Sequence, residues 1–507
     1  MRHRYLGLAM LALSYESEDR HDIETTSPPQ NETIAATTNS MIEHNNHANQ
    51  DGMFVQPTLT KARTATMIRD RSFDGTISGN VFASPLYVDG SPGVFVIATQ
   101  NNQVSALDEN TGRPVWQRTY GQPAGSTGAG CGNISPLGIT GTPTIDVAKR
   151  TIYFDTAVGT STTITDHLIH AVSLDDGSER TGWPVAASSV STAGERFNPV
   201  VHNQRSALLL VNGVLYVSYS GHLGDCAQYR GWLIGIDTSA PQNVRAFKTG
   251  GTRGGGMWAT GGPASDGTSI FVTTGNTFGA TTWSGGEAVI RMQPGPVFSG
   301  QARDFFAPTN WSSLDASDLD LGGSGPLVVN APAFTPSQLV LAFGKDGNVF
   351  ALDRNNLGGI GAQKAVRRVM NDQIVNASAA VTTPAGTFVT MHGARNATAV
   401  GCPTGSGDLA TVKLSGTSIA MAWCANNGGQ GSPIITTTDD QGSEAIVWTA
   451  GAGSTNKLHA WDAVSGAVVF NGGADTFAAV RALTSPIAVK GRIIVAGDNK
   501  VFAFRPQ

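Results

Sequence analysis

The chain has 507 residues, 40% of them hydrophobic, and 33 Lys and Arg against 38 Asp and Glu give a net charge of -5. That hydrophobic content is ample for a large core, and with no basic stripe along any segment a nucleic-acid ligand has no electrostatic footprint. The 62 glycines, the sparse charge at 14% and the frequent Thr, Ser, Val and Asn describe an all-β chain of short strands joined by tight turns, because glycine supplies positive φ angles and β-branched side chains suit pleated surfaces.

At the start, Arg2, His3 and Arg4 precede an apolar run from Tyr5 to Ser14. The run is too short to span a bilayer, and with Ala12 and Ser14 as a cleavage pattern residues 1–14 read as a signal peptide of a periplasmic or secreted protein. No cysteine follows the run, so a lipid anchor is not expected. Residues 15–52 are acidic, rich in Thr and Asn and poor in apolar side chains, which predicts a disordered spacer.

From residue 53 the chain repeats. A small-Pro or small-small step followed by a strand recurs at Pro85, Pro143, Ala207, Pro263, Pro326, Ala380, Pro433 and Pro486, at spacings of 53 to 64 residues. Each unit continues with a turn such as VDG, VNG or VKG, a strand such as VFVIAT or IIVAG, and a short strand entering an Asp/Gly phrase. The fullest copy of that phrase is ALDENTGRPVW from Ala106, of pattern A-x-D-x-x-x-G-x-x-x-W. It returns as AWDAVSGAVVF from Ala460 and in eroded form as ALDRNNLGG from Ala351 and around Asp237. Its Asp and Gly set a turn and its Trp116 is a flat group suited to packing between blades. Eight units of this kind predict a single eight-bladed β-propeller of four-stranded antiparallel blades over 53–507. The last unit ends after three strands, so an N-terminal strand within 53–80 is expected to close the ring and cover its open edge.

Cys131, Cys226, Cys402 and Cys424 are even in number and suit an oxidising compartment, with three pairings open. No C-x-x-C or C-x-x-C-H occurs, which excludes c-type haem attachment and paired zinc knuckles. His202, His222 and His392 lack metal-ligand spacing. GTRGGG from Gly251 lacks the Lys-Ser/Thr ending of a phosphate loop.

The repeated phrase and the SPLYVDG start resemble the tryptophan-docking repeat of the pyrroloquinoline quinone (PQQ) propeller superfamily, whose alcohol dehydrogenases are eight-bladed. The likeness covers nearly everything after residue 53, and it implies specific site residues. Trp258 in GGGMWATGG, 18 residues before Asn276 in VTTGN, matches the family's quinone-stacking tryptophan and calcium-binding asparagine. DLDLGGSGPLVV resembles the stretch that carries the catalytic aspartate and places Asp320 there. AFGKDGNVFALD resembles the turn with the cationic residue beside the quinone oxygens and places Lys345 there. The family's remaining calcium ligand, a glutamate, is missing from SYSGHLGDCAQYRGW, where Asp225 is the nearest oxygen donor. The family's ring of adjacent cysteines is missing too, since Cys131 is followed by Gly132. That departure leaves Cys131 alone beside the cofactor and implies a Cys131–Cys226 pair between blades and a Cys402–Cys424 pair within one.

Two functions follow. In the first, PQQ and calcium are bound, the metal on Asn276, Asp225 and Asp320; calcium takes six to eight oxygens, several of them from the quinone. Asp320 acts as general base on an alcohol or polyol, Lys345 stabilises charge on the reduced quinone, and electrons pass to a separate carrier. In the second, Asn276 and Lys345 are turn residues, Asp320 belongs to a solvated acidic loop with Asp315 and Asp318, Trp258 is core, and the propeller is a non-catalytic scaffold for another envelope protein.

Overall fold

A computed structural model describes residues 40–394 and 397–507; the expected signal peptide and the spacer up to residue 39 lie outside them. Among the described residues no helix is long and apolar enough to cross a membrane. Eight antiparallel sheets follow one another along the chain. Their first strands in chain order, within each repeat unit, are Leu86–Val88, Thr144–Asp146, Leu209–Val211, Ala264–Ser265, Leu327–Asn330, Ala379–Thr383, Ile434–Thr437 and Ile487–Val489, for blades 1 to 8. Each begins within two residues of a repeat start read from the sequence. In blade 1 the order continues outward through Val94–Ala98 and Gln103–Asp108 to Pro114–Thr119. The first three strands are largely buried, while the outermost is largely exposed. This is why second strands such as VFVIA read as continuous apolar runs: blades on both sides cover them.

Blade 8 is completed by Met67–Arg69, whose residues pair antiparallel with Phe504–Pro506 on the outer side of the last strand. The expected N-terminal strand therefore closes the ring and covers the edge of the last strand. Two short additions extend other blades. Met53–Val55 runs parallel to Ile435–Thr437 inside blade 7, and Gly359–Ile360 runs parallel to Phe306–Ala307 outside blade 4.

The Asp/Gly phrase is a docking device. Asp108 Oδ1 accepts from the backbone N–H of Asn110 and Thr111, and Asp462 Oδ1 does the same for Val464 and Ser465. The eroded copies keep the cap, with Asp237 bonded to Ser239 N–H and Asp353 to Asn355 N–H. The tryptophan that ends the phrase reaches the next blade. Trp116 Nε1 donates to Leu174 O at 2.8 Å, and its ring lies where a Cβ on Gly177 would come within 2.8 Å of it. Gly177 also has φ +71°, so a side chain there meets both strain and collision.

Residues 40–52, expected within the disordered spacer, instead pack onto the blades. The peptide carbonyls of Met41, Ile42, Ala48, Asn49, Asp51 and Gly52 accept from the N–H groups of Tyr87, Ile145, Ser265, Val328, Ala380 and Ile435, on the inner strands of blades 1, 2, 4, 5, 6 and 7 in turn. Gln56 then exchanges side-chain bonds with Ala488 and Gly491 of blade 8. The segment visits the ring in blade order and supplies acceptors that inner strands would otherwise lack. Its polar composition suits this position: His44, Asn45 and Gln50 are buried, His44 bonded to Gln50 and Ser485, Asn45 to Ser378.

Candidate active site

In a propeller the turn after each second strand and the connection into each first strand emerge at the same end of the axis. Asp225 follows the second strand of blade 3 (Val214–Tyr219), Asn276 that of blade 4 (Ile270–Thr274) and Lys345 that of blade 5 (Gln338–Phe343). Trp258 and Asp320 lie in the connections into blades 4 and 5, the latter after a short helix, Trp311–Ala316. All five line one cavity of about 660 Å³.

Asp320 is its centre. The carboxylate is buried, and Oδ2 receives Lys345 Nζ at 2.7 Å and Trp258 Nε1 at 3.1 Å, while Oδ1 receives the backbone N–H of Asn276 at 2.9 Å. Residues 62, 44 and 25 positions away in sequence thus meet on one side chain. The approach requires glycine at 275, where a Cβ would stand 2.7 Å from Asp320 Oδ1. Burial lowers the pKa of Lys345, but the charge of Asp320 and hydrogen bonds to Asp320 and Asp318 outweigh it and hold the ammonium above its usual range. Lys345 Nζ also lies 5.2 Å from the centre of the Trp258 ring.

The acidic loop divides into three roles. Asp315 is a structural anchor, accepting from Thr277 Oγ1 at 3.0 Å and Gly279 N–H at 2.7 Å. Asp318 is exposed and pairs with Lys345 at 3.0 Å. Only Asp320 is buried in the cavity wall. Opposite oxygens come from Asp225, whose Oδ1 accepts from Tyr229 at 2.6 Å. Burial raises the Asp225 pKa and the negative charges of Asp320 and Asp318 add to the rise, against the hydrogen bond from Tyr229.

No set of three His, Cys, Asp or Glu among the described residues is gathered closely enough to hold a metal by itself. Among the described residues, Asn276 uses its amide nitrogen toward Asp318 at 3.4 Å and leaves its side-chain oxygen without a hydrogen bond, and Asp225 has one oxygen unengaged. The donor set is oxygen-only and incomplete, which fits a hard cation that draws further oxygens from a bound ligand. Cys131 itself is not on the cavity wall. It is bonded to Cys226, with Cα atoms 6.0 Å apart, and the wall beside it is built by Asn133, Ile134 and residues 222–225. Cys402 and Cys424 form the second disulfide.

Three residues were not singled out from the sequence. Arg205, in NQRSALLL, lines the cavity and lies 5.5 Å from the Trp258 ring centre. Tyr229 fixes Asp225. Glu287, in GGEAVI, is fully buried behind Asp320; its Oε2 accepts from Leu321 N–H at 2.6 Å, and burial followed by the Asp320 charge raises its pKa well above the carboxylate range. A charged residue opening an apolar strand was the available signal for both Arg205 and Glu287.

No protein-family model matches the chain, and no curated protein matches its sequence. Solved structures do match. Quinohemoprotein alcohol dehydrogenase from Comamonas testosteroni superposes with a TM-score of 0.65 at 13% identity, over 93% of this chain and 81% of that one. Quinohemoprotein alcohol dehydrogenase ADHIIG from Pseudomonas putida HK5 gives 0.64 at 11% identity, over 92% and 80%. A europium-containing methanol dehydrogenase gives 0.63 at 14%, over 90% and 89%. At these identities the likeness is one of fold alone: the chain shares the propeller fold of these structures.

Proposed function

We propose that the axial cavity holds PQQ together with a divalent cation, calcium foremost, and that the protein oxidises a small alcohol or polyol there. The observation that carries this reading is the buried Asp320 carboxylate, fixed from three sides by Trp258, Asn276 and Lys345 on the wall of a ligand-sized cavity. Trp258 offers a half-buried indole face as a stacking floor. Asn276 and Asp225 contribute oxygens to the cation, and Asp320 stands beside them. The quinone, when bound, supplies the hydride acceptor. Asp320 receives the alcohol proton, which requires the hydroxyl within about 3 Å of a carboxylate oxygen. Lys345, paired with Asp320 beforehand, provides positive charge where negative charge develops. Electrons leave to a separate carrier, and the two disulfides support an exported location.

The test is the unfolding temperature of the full chain with PQQ, with calcium and with both. At about a hundred times the dissociation constant, binding adds roughly 2.7 kcal/mol to stability. A shift that needs both ligands and vanishes in Asn276→Ala supports the reading and leads to alcohol oxidation with an artificial electron acceptor. No shift at saturating quinone overturns it and leaves the non-catalytic scaffold.

A further inference from the structure

A second chamber of about 290 Å³ adjoins the axial cavity and shares Asn133, Arg205, Ala482 and Leu483 with it. It is bounded by His44 of the N-terminal segment and by hydroxyl side chains of several blades. Two arginines and no carboxylate line it, whereas the axial cavity carries Asp225, Asp318 and Asp320. The charge of Arg481 is met by Asp498, with Nε to Oδ1 at 3.0 Å. Arg205 is different. Among the described residues it has no ion pair and no hydrogen bond, and its one polar-type contact is the Trp258 ring. Its exposure is intermediate and directed into the two chambers.

A guanidinium held inside a protein without an anion is costly, and such groups are normally paired. The cost is visible in its protonation equilibrium, since burial pulls the Arg205 pKa down to about 10. A second polar group in the same chamber is also unmatched: Thr260 Oγ1 is buried with no hydrogen-bond partner among the described residues. Other hydroxyls there are engaged, Thr142 with Ser84 N–H at 2.9 Å and Thr140 with Gln100 at 2.9 Å. The chamber thus presents one uncompensated positive charge and one idle hydroxyl donor. The complement is a group with a single negative charge and two acceptor oxygens, which the planar fork of an arginine binds bidentately.

We propose that Arg205, with Thr260, forms a carboxylate-binding subsite between the axial cavity and the N-terminal segment. The carboxylate belongs to a free small organic acid or to the edge of a larger ligand seated on Trp258, such as PQQ. A doubly charged phosphate is a poorer match, because only one charge is unbalanced and the acids of the neighbouring cavity repel the excess. The inference stands on Arg205 and its chamber and does not depend on quinone chemistry.

The experiment measures the unfolding temperature of the full chain against sodium propionate, against sodium chloride at equal ionic strength, against propanol, and against PQQ together with calcium. Propionate is expected to raise the midpoint saturably where chloride and propanol do not. Arg205→Met is expected to weaken that binding at least about tenfold, as loss of a buried charge partner does, and Thr260→Val about fivefold, as loss of one hydrogen bond does. Without ligand, Arg205→Met should unfold no earlier than the parent, because no hydrogen bond or ion pair is lost and methionine can still pack on the Trp258 ring. If propionate is inert and the PQQ shift disappears in Arg205→Met, the carboxylate is that of the larger ligand. Binding of both probes unchanged in Arg205→Met, or no response to either in the parent, overturns the subsite. A propionate response with none to PQQ retains the subsite and removes the quinone reading.

Discussion

The Lys345 ammonium lies 2.7 Å from the Asp320 carboxylate, and both side chains are largely withdrawn from solvent. The same carboxylate takes Trp258 Nε1 and Asn276 N–H. Removing one charge therefore strands the other. Lys345→Met is expected to cost about 3 kcal/mol, in the range for breaking a buried pair. The double change Lys345→Met with Asp320→Asn should recover part of that loss, since no charge is then left alone. Urea denaturation midpoints of the parent, both single variants and the double variant measure the coupling. A double variant as unstable as the sum of the singles would show that the pair is not coupled.

The Cys131–Cys226 bond joins the connection into blade 2 to the turn after the second strand of blade 3, across 95 residues of chain. Both segments supply cavity wall, and Gly132 N–H is also bonded to Leu223 O at 3.0 Å. Replacing both cysteines by serine is expected to lower stability by about 3 kcal/mol, typical for loss of a native disulfide. Hydrogen exchange should quicken first at residues 131–134 and 222–226, the two stretches it joins. Faster exchange spread evenly through all blades would contradict this local role.

Much of the architecture was legible because it rests on repetition. Pro85, Pro143 and their counterparts sit next to inner strands, and the Asp108 and Asp462 turns are local structures that their own residues dictate. The closing strand was foreseen from a missing partner, and Met67–Arg69 fills that place. At the site, Trp258, Asn276, Asp320 and Lys345 do meet, but their sequence neighbourhood could not say that Lys345 pairs with Asp320 or that Asp315 is an anchor. Those facts depend on which side chains from different blades face one another. Arg205 and Glu287 were missed for the same reason. The segment 40–52 misled for another: it binds through its peptide carbonyls, which no residue type advertises, and its buried His and Asn side chains read as a solvated tail.

That segment gives a direct test of the boundary at residue 53. A chain beginning at 53 keeps the blade 7 addition and the closing strand but loses the six carbonyl acceptors of residues 41–52 and the burial of Met41. At about 1 kcal/mol net for each hydrogen bond, the loss is on the order of 5 kcal/mol. Calorimetry of chains beginning at 40 and at 53 should show the shorter one unfolding earlier. Equal midpoints would mean that the inner strands are satisfied without the segment.

Within the same segment, Glu43 introduces a pH dependence. Among the described residues its Oε2 is buried with no hydrogen-bond partner, and burial raises its pKa from 4.5 to about 8, with the charge of His47 opposing the shift and that of Asp51 adding to it. The folded protein therefore keeps this proton over a range in which the unfolded chain releases it. Below about pH 4.5 both states are protonated and the stability linked to this group is fully present; it is lost as pH rises through about 8. His44 runs the other way: burial lowers its pKa from 6.5 to about 4, so its contribution is present above 6.5 and lost as pH falls through 4. Glu43→Gln removes the first dependence and leaves the second. The variant should match the parent at pH 4.5 and exceed it increasingly up to pH 8, by on the order of 5 kcal/mol at pH 9. Unfolding midpoints of both proteins from pH 4.5 to 9 measure the difference, and parallel curves would show that Glu43 ionises in the folded state as freely as in the unfolded chain.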